Sequence, residues 1–187
     1  VEQLQVFFPG IESWQMVKTI IFTVDAETGA SYEVAVCIRG DLEVNTTKVI
    51  NLLGASSVTP ADASVVRDVT GAEVGFAGPI GLENVRRIIF DHSVAGMTNF
   101  LCGVNQTGKH ALDVNIDRDF RAVSCHDVHL AKGGDVCAAC SGEVLSESRG
   151  IEVGHIFMLQ TWYAKKMGAT YMDANGQTQD IWMGCYG

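Results

Sequence analysis

Three polar side chains are of types that bind anions or move protons, and each follows or begins an apolar run. Lys18 stands at the head of VKTIIF, where a strand residue would ordinarily be apolar. Asp91 follows the run IIF, and His110 follows the polar turn QTGK. Each has an ordinary structural explanation: a lysine in solvent at a sheet edge, an aspartate that caps the next helix, and a surface histidine. Taken one at a time, none of the three predicts a site.

A set of glycines, Gly75, Gly78 and Gly81, forms a second candidate feature. Their spacing matches neither GxGxxG nor GxxxxGK[ST], and the strand-like run RRIIF follows where a phosphate-binding loop would need a helix. The spacing therefore argues against a dinucleotide site. It permits a loop with bare backbone amides around Gly75 and Gly78, which could hold a carbonyl oxygen or an oxyanion.

A CxxC pair, Cys137 and Cys140, raises the question of a metal. Such a pair supplies half of a tetrahedral zinc site, and Cys125 and His129 could supply the rest, with His126 nearby. The alternatives to a zinc site are a redox dithiol and a structural turn whose thiols have no function. We commit to no metal ligand, because one CxxC is weak evidence; zinc analysis after exhaustive dialysis separates these interpretations.

Composition excludes several classes of function. The chain has 187 residues and a net charge of -9, with 13 Lys and Arg against 22 Asp and Glu, so it shows no strong electrostatic footprint for nucleic acid. If RNA is a partner, most of the affinity must come from other interactions. No run reaches the roughly 18 to 20 apolar residues of a membrane span, and no signal peptide is evident. We expect a soluble, cytoplasmic protein without a membrane partner. Cys37, Cys102 and Cys185 lie in apolar contexts that predict buried thiols.

The elements that must position these residues begin with a hairpin. Alternating apolar residues predict strands over 18–25 and 31–39. Helical spacing then predicts a helix between Asn45, a plausible N-cap, and Gly54. A second helix is predicted with Thr59 as its N-cap, Pro60 as its first residue and Gly71 at its end.

The segments after Gly71 return to strand-like patterns. We expect a strand entering a glycine-containing bend over 72–82, a strand that ends at Asp91, a short helix within 93–103, and a strand that begins at His110. Strands and helices are mixed without strict alternation. The sequence therefore predicts the α+β (mixed α/β) class, with a mixed sheet packed against helices.

A change of pattern predicts two domains, 1–140 and 141–187. Residues 121–149 lose any regular period, and the C-terminal segment resumes with strand-like residues, a short helix in YAKKMGA, a turn at Asn175 and Gly176, and an apolar closing strand, IWMGCYG. An apolar strand at the last residue is unusual for a complete domain. We therefore expect this sequence to be a piece of a longer protein.

Several motifs resemble bacterial-type prolyl-tRNA synthetase. The C-terminal stretch, with EVGHIF and MGCYG, resembles the class II catalytic domain just before motif 3. The preceding residues, with IRGDLEVNTTKV, GFAGPIGL, DHSVAGMTNFLCGVNQTGKH and NIDRDF, resemble the insertion domain of that family, a member of the aminoacyl-tRNA deacylase superfamily. The resemblance implies the editing-domain fold, with a mostly antiparallel sheet, and hydrolysis of alanyl-tRNA(Pro) without a cofactor.

The resemblance also implies site residues. The essential lysine of the family falls on Lys18, and the aspartate and histidine that shape the site fall on Asp91 and His110. The GxxxP loop, which would bind substrate, falls on the five residues Gly75, Phe76, Ala77, Gly78 and Pro79. Because no Ser or Cys nucleophile stands beside a base, we expect direct attack by water.

The C-terminal segment carries two further residues of the family. Glu152 and His155 resemble residues of the synthetic site near proline, but motifs 1, 2 and 3 are absent, so we expect no aminoacylation from this chain. For the full-length synthetase the resemblance implies ATP, Mg²⁺, alanine, proline, the tRNA(Pro) acceptor end and a homodimer. Two departures are the short segment FPGIESWQM before Val17 and Met158 in place of a glutamine.

Two alternatives to an editing hydrolase remain open. The first is a non-catalytic insertion domain that scaffolds the synthetase or binds the tRNA acceptor end. The second is a zinc-dependent interaction module built on the CxxC region.

Overall fold

The chain divides into two compact units in a computed structural model. The structure describes residues 2–122, 125–137, 139–140 and 142–185. The first unit is Val1–Ala131 and the second is Lys132–Gly187. The predicted boundary at 140 stays a prediction, and the two units are described separately below.

The first unit is built on a mixed sheet, which confirms the predicted fold class. The strands are β1 (Met16–Ala26), β2 (Ser31–Arg39), β3 (Ala55–Pro60), β4 (Arg87–Asp91), β5 (Phe100–Gly103), β6 (His110–Val114) and β7 (Cys125–His126). Their hydrogen-bonded order is β6-β5-β1-β2-β4-β7, and β3 also pairs with β1. The β1–β2, β1–β3 and β5–β6 pairs are antiparallel, and the β1–β5, β2–β4 and β4–β7 pairs are parallel.

The β1–β2 hairpin is the centre of the sheet. Its register runs from Val17 opposite Arg39 to Asp25 opposite Ser31, and Gly29 supplies the left-handed residue of the turn at φ 84°. Alternate residues of the two strands face opposite sides, so both sides can carry packed helices. The predicted hairpin is confirmed.

Apolar side chains on the two sides of β1 belong to different clusters. Phe22 and Val24 pack with residues that include Val49 of the helix α2 (Thr46–Leu53). Ile21 packs instead with residues that include Val66 of the helix α3 (Ala63–Thr70). Burial of these side chains stabilises the layered arrangement, at about 25 cal/mol per Å² of apolar surface.

The helix α2 has the predicted ends. Asn45 is its N-cap, with Oδ1 accepting a hydrogen bond from the Lys48 N–H at 3.2 Å, and Gly54 closes it in the left-handed conformation at φ 60°. Glycine adopts that conformation without the steric cost that other residues pay. Here local sequence signals and tertiary structure agree.

The helix α3 begins later than predicted. Thr59 and Pro60, expected as its N-cap and first residue, instead end β3 and pair with β1. The N-cap is Asp62, and Gly71 ends the helix as predicted. The predicted start is wrong because pairing with β1 outweighs the local capping preference, and a strand of this kind tolerates proline where no ladder hydrogen bond is needed.

Two further segments differ from the predictions. Residues 71–86 contain turns and bends but no strand, whereas a strand was expected there. Phe100–Gly103, expected within a short helix, forms β5 beside β1, and the preceding helical turn is a 3-10 turn at His92–Val94. The strands ending at Asp91 and beginning at His110 are confirmed.

The second unit contains few regular elements. It has the helix α4 (Trp162–Met167), close to the predicted YAKKMGA helix, and the antiparallel strands β8 (Thr170–Met172) and β9 (Thr178–Asp180), joined through the predicted Asn175–Gly176 turn. The described residues after Asp180 form no strand, and Cys185 is half-buried, because the described part of this unit has almost no core: Ala164 is its one buried residue. The predicted closing strand and buried Cys185 are therefore wrong, while Cys37 and Cys102 are buried as predicted.

Within the described residues, no helix is long and apolar enough to span a bilayer.

The α2 cap gives a test of the fold. Asn45→Ala removes the acceptor for the Lys48 N–H, so we expect the free energy of unfolding to fall by about 1 kcal/mol. Asn45→Asp keeps an acceptor oxygen and should retain most of the stabilisation that the cap provides. Urea denaturation of the purified chain measures both. Equal stability of Asn45→Ala and the wild type would show that this cap contributes nothing.

Candidate active site

A cavity of about 300 Å³ brings together two of the predicted site residues and part of the glycine loop. Lys18 of β1, His110 of β6, Gly75 and Ala77 all line it. The remaining wall is largely apolar, with Ile20, Ile21, Val66 and Leu101 among its residues. Three separated stretches of the sequence therefore converge on one enclosed space.

The floor of the cavity is a gap in the sheet. β5 pairs with β1 at Met16–Val17 and β3 pairs with it at Phe22–Ala26, so along the described chain no strand pairs with 18–21 at that edge. The Ile21 carbonyl accepts a hydrogen bond from the Ala61 N–H at 2.9 Å. Because backbone groups alternate in direction along an antiparallel strand, those of Thr19 face the same edge as those of Ile21.

Lys18 lies in the wall of this gap and makes one defined ion pair. Its Nζ is 2.7 Å from Oε1 of Glu43, in the segment between β2 and α2. The Lys18 side chain is 20% exposed and the Glu43 side chain 73% exposed. The lysine is thus partly enclosed, while its partner carboxylate reaches it from solvent.

The glycine loop packs directly against the end of β5. A Cβ on Gly78 would overlap the carbonyl of Gly103, and a Cβ on Gly103 would overlap the carbonyl oxygens of Phe76 and Ala77. Only residues without a Cβ permit this approach, which explains two of the glycines in physical terms. Gly75 has φ 100°, a conformation that also favours glycine.

Asn105 holds the loop in this position. Its side chain accepts from the Gly78 N–H at 2.9 Å and donates to the carbonyls of Gly78 and Ile80 at 3.1 and 2.9 Å. Its own N–H donates to the Phe76 carbonyl at 2.9 Å. Sequence reasoning missed Asn105; the only available signal was that asparagine tolerates the left-handed conformation it adopts at φ 56°.

This arrangement corrects the expectation about bare amides. The Gly78 N–H is occupied by Asn105, so it is not available to an oxyanion. Pro79 has no N–H. Within the described chain, the N–H groups of Gly75 and Ala77 have no hydrogen-bond partner, and both residues line the cavity. Any oxyanion site in the loop would therefore use Gly75 or Ala77.

His110 reaches the cavity because of the β5–β6 pairing. It stands opposite Gly103, and its ring lies 5.4 Å from the Phe76 ring between centroids, at 55°. Partial burial lowers the pKa of His110 below its ordinary value, against the opposing effect of a hydrogen bond with the Gly75 backbone. The imidazole is therefore neutral at pH 7.

Asp91 does not join Lys18 and His110. It ends β4, is fully buried and is not among the residues that line the cavity. Its Oδ1 accepts from the Ser93 N–H at 2.8 Å, and its Oδ2 accepts from the Val128 N–H at 2.9 Å. Burial raises the pKa of this carboxyl, but hydrogen bonds from Ser93 and Val128 and the nearby His129 outweigh burial and lower the pKa below its usual value.

A second cavity of about 350 Å³ adjoins the first. It shares Leu4, Val74, Gly75 and His110 with it and adds the aromatic residues Phe7, Phe8 and Phe76. Phe7 is the last residue of the short helix α1 (Glu2–Phe7), and Phe8 follows it directly. The segment FPGIESWQM, described from the sequence as short for the family, begins with Phe8 and so contributes to the wall of this cavity.

The cysteine and histidine residues considered for zinc lie in different units. Cys125, His126 and His129 belong to the first unit, where His126 Nε2 is 3.0 Å from Arg87 Nη2 and His129 Nδ1 is 3.2 Å from Asp91. Cys137 and Cys140 belong to the second unit, and hydrogen bonds from the Ala139 backbone and from Cys140 lower the pKa of the Cys137 thiol. The four-ligand zinc hypothesis stays untested.

Within the described residues, the group that could offer three metal ligands is Asp91, Asp127 and His129, whose ligand atoms lie within 4.8 Å of one another. Lys48 Nζ already forms an ion pair with one member of this group, at 2.7 Å from the Asp127 carboxylate. An ammonium group at that distance competes with a cation.

Glu152 and His155 of the second unit form a pair of their own. His155 Nδ1 is 2.7 Å from Oε1 of Glu152, and the imidazole stacks on Phe157. Both side chains are more than half exposed and lie in a segment without regular secondary structure.

Comparison with known proteins decides the family. The model of the aminoacyl-tRNA editing domain matches residues 2–120, which contain the whole cavity wall described above. The chain belongs to the aminoacyl-tRNA editing domain family. Lys18, His110 and the GFAGP loop therefore lie inside the editing domain, and the second unit lies outside the matched residues.

Curated relatives extend the similarity to the second unit. The chain is 44% identical over 180 residues to a proline-tRNA ligase of Desulforamulus reducens, covering 96% of this chain and 30% of the relative. It is 45% identical over 189 residues to a proline-tRNA ligase of Thermoanaerobacter sp. strain X514, covering 100% and 32%. The chain thus spans about a third of the length of these relatives.

Solved structures support the fold of this editing domain. A candidate trans-editing enzyme for prolyl tRNA synthetase superposes with a TM-score of 0.55 at 20% identity, covering 70% of this chain and 78% of that chain. The hypothetical protein APE2540 gives a TM-score of 0.51 at 24% identity, covering 61% and 71%. At these identities the likeness concerns the fold alone.

The contact between the loop and β5 can be tested by adding one methyl group. Gly103→Ala places a Cβ on the carbonyls of Phe76 and Ala77, so we expect a loss of about 1–3 kcal/mol in the free energy of unfolding. Gly150→Ala is the control, because its Cβ meets nothing within 4 Å. Differential scanning calorimetry of both variants measures the effect, and equal melting temperatures would contradict the packing argument.

Proposed function

We propose that this editing domain hydrolyses the ester of mischarged alanyl-tRNA(Pro). The observation that carries the proposal is the cavity lined by Lys18, His110, Gly75 and Ala77, where the amides of both Gly75 and Ala77 lack a hydrogen-bond partner among the described residues. A cation, hydrogen-bond donors and an apolar wall suit a small aminoacyl ester on a phosphate-bearing chain.

The reaction is ester hydrolysis by water. Water adds to the ester carbonyl carbon, and the negative charge that develops on its oxygen is held by the N–H groups of Gly75 or Ala77, an effect worth about 3 kcal/mol per donor. The bond from that carbon to the ribose oxygen of the terminal adenosine then breaks. The ribose oxygen takes up a proton, and free alanine leaves with the hydroxyl group that came from water.

Each of the other residues has a supporting role in this scheme. Lys18 binds the terminal phosphate or the ribose edge and so orients the ester. His110 and Phe76, in ring contact, bound the space for the amino-acid side chain. Asp91, which lies outside the cavity, touches no substrate in this scheme.

The need for such an activity follows from energetics. A proline pocket cannot strongly exclude alanine, since each missing methylene is worth only about 1–3 kcal/mol, so a second site that admits alanine and excludes proline by size is required. The net charge of -9 supports a domain that receives only the 3' end of the tRNA while the rest of a longer protein holds the remainder.

We further propose that the longer protein is a cytoplasmic, homodimeric proline-tRNA ligase. Identities above 40% to several proline-tRNA ligases over nearly the whole chain support it. Proline, ATP and Mg²⁺ would serve its synthetic site, to which Glu152 and His155 would contribute, and editing would need no cofactor.

The central test compares three substrates and two lysine variants. We expect the chain to deacylate alanyl-tRNA(Pro) faster than cysteinyl- or prolyl-tRNA(Pro), and Lys18→Ala to reduce the alanyl rate at least about 10-fold because the ester loses its orienting cation. Lys165→Ala, an exposed lysine of the second unit, is the matched control. A wild-type rate equal to that of buffer would favour the non-catalytic insertion domain instead.

The pH dependence tests His110. Because its pKa lies below the ordinary value, protonation begins only in acid, where a second cation would oppose the ammonium group of the alanyl ester. We expect the enzymatic rate to fall only in acid, at pH values below the ordinary pKa of histidine, by up to about 10-fold per pH unit, and this acid limb to be absent from His110→Asn. Rates are measured after subtraction of spontaneous hydrolysis. The same acid limb in His110→Asn would assign it to another group.

A further inference from the structure

Asp91 is a fully buried carboxylate that the proposed hydrolysis does not use directly. A series of contacts nonetheless connects Asp91 with Lys18 in the cavity wall. Asp91 Oδ2 accepts from the Val128 N–H at 2.9 Å and lies 3.2 Å from His129 Nδ1. One carboxylate therefore fixes two consecutive residues of the segment after β7.

The segment fixed by Asp91 pairs in turn with the residues that precede α2. Val44 and His129 form an antiparallel bridge. The Asn45 N–H donates to the Val128 carbonyl at 2.8 Å, and the Leu130 N–H donates to the Glu43 carbonyl at 2.7 Å. These hydrogen bonds set the backbone position of residues 43–45.

Lys48 adds a side-chain clamp to the same pairing. Its Nζ, on the first turn of α2, donates to the His129 carbonyl at 2.9 Å and to the Asp127 carboxylate at 2.7 Å. The helix and the 127–130 segment are therefore held together by both backbone and side-chain contacts. Residues 43–45 directly precede α2 and are hydrogen-bonded to the 127–130 segment, so both parts restrict their position.

The last contact of the series reaches the cavity. Glu43 Oε1 lies 2.7 Å from Nζ of Lys18. A lysine side chain has a flexible four-carbon stem, and a defined acceptor restricts the positions of its ammonium group. The backbone of Glu43 is fixed by its hydrogen bond with the 127–130 segment. The position of the Glu43 carboxylate relative to Lys18 is therefore restricted.

We propose that Glu43 is a positioning residue for Lys18, and that Asp91 acts on the active site through Glu43 by anchoring the 127–130 segment. The inference rests on the proposed function, since it gives Lys18 a contact with substrate. It gives Asp91, a buried aspartate outside the cavity, a route by which it acts on Lys18. It also assigns a role to a surface glutamate that neither the cavity wall nor the hydrolytic chemistry requires.

The expected effects of Glu43 variants are modest and specific. The pair is largely exposed on the Glu43 side, so Glu43→Ala should lower kcat for alanyl-tRNA(Pro) about 2- to 5-fold without raising KM. Glu43→Gln keeps an acceptor oxygen at the same distance from the backbone and should restore most of kcat. A kcat/KM for Glu43→Ala equal to or above the wild-type value, or a Gln variant as slow as the Ala variant, would overturn the proposal.

A second measurement does not depend on activity. Acetylation by an N-hydroxysuccinimide ester, followed by peptide mass spectrometry, reports how firmly each lysine is held. We expect Lys18 to react about 2- to 5-fold faster in Glu43→Ala and in Asp91→Asn than in the wild type, with Lys165 as internal reference. Val34→Ala is the control for general destabilisation, because Val34 is a buried core residue that takes no part in the contacts from Asp91 to Lys18.

The outcomes separate the inference from the proposed function. If the wild-type chain does not hydrolyse alanyl-tRNA(Pro), the proposed function fails, while the labelling rates still test the coupling of Glu43 and Asp91 to Lys18. If Asp91→Asn labels Lys18 no faster than Val34→Ala does, Asp91 stabilises the fold only and the inference is wrong. If Asp91→Asn does not fold, the two Glu43 variants decide the role of Glu43.

Discussion

The backbone contact between Gly78 and Gly103 is the constraint on which the cavity depends. The loop and the end of β5 approach so closely that neither position has room for a Cβ. Because Gly103 also pairs with His110, the same contact sets the distance between the loop and the imidazole. Asn105 then ties the loop to the strand by four hydrogen bonds to Phe76, Gly78 and Ile80. A tight backbone junction of this kind gives the editing domain a rigid wall without large side chains.

An interruption in the sheet supplies the space that this junction encloses. β5 and β3 both pair with the same edge of β1, but they leave residues 18–21 between them. Unpaired backbone groups buried at a strand edge would be costly. On this edge the Ile21 carbonyl accepts a hydrogen bond from the Ala61 N–H, and Thr19 lines the cavity. Lys18 is at one end of this interval, which is why a residue at the head of an apolar strand can be charged.

Charges around the site are divided between a cavity with a cation and a surface with an excess of acids. The chain carries a net charge of -9, yet the cavity wall contains Lys18 and a neutral His110. The one acidic residue that contacts this lysine among the described residues, Glu43, is largely exposed, and the backbone of Glu43 is hydrogen-bonded to the segment that Asp91 holds. The positive charge of the cavity is therefore local, on a chain whose overall charge is negative.

The sequence by itself determined the local elements and the family. The β1–β2 hairpin, the α2 helix with its Asn45 cap, and the strands at Asp91 and His110 follow from periodicity and capping, because these signals act over a few neighbouring residues. The resemblance of its motifs to an editing domain is borne out by the family match to residues 2–120.

Only the tertiary structure decided which residues meet. Thr59 and Pro60 became strand rather than helix through pairing with β1, and Phe100–Gly103 became β5 for the same reason; such long-range pairing leaves no local signal. The occupied amide of Gly78, the separation of Asp91 from the cavity and the contact of Glu43 with Lys18 all depend on residues distant in sequence. Residue types and motifs therefore identified the candidate site residues. Which of them lie together at the cavity depends on contacts between distant parts of the chain.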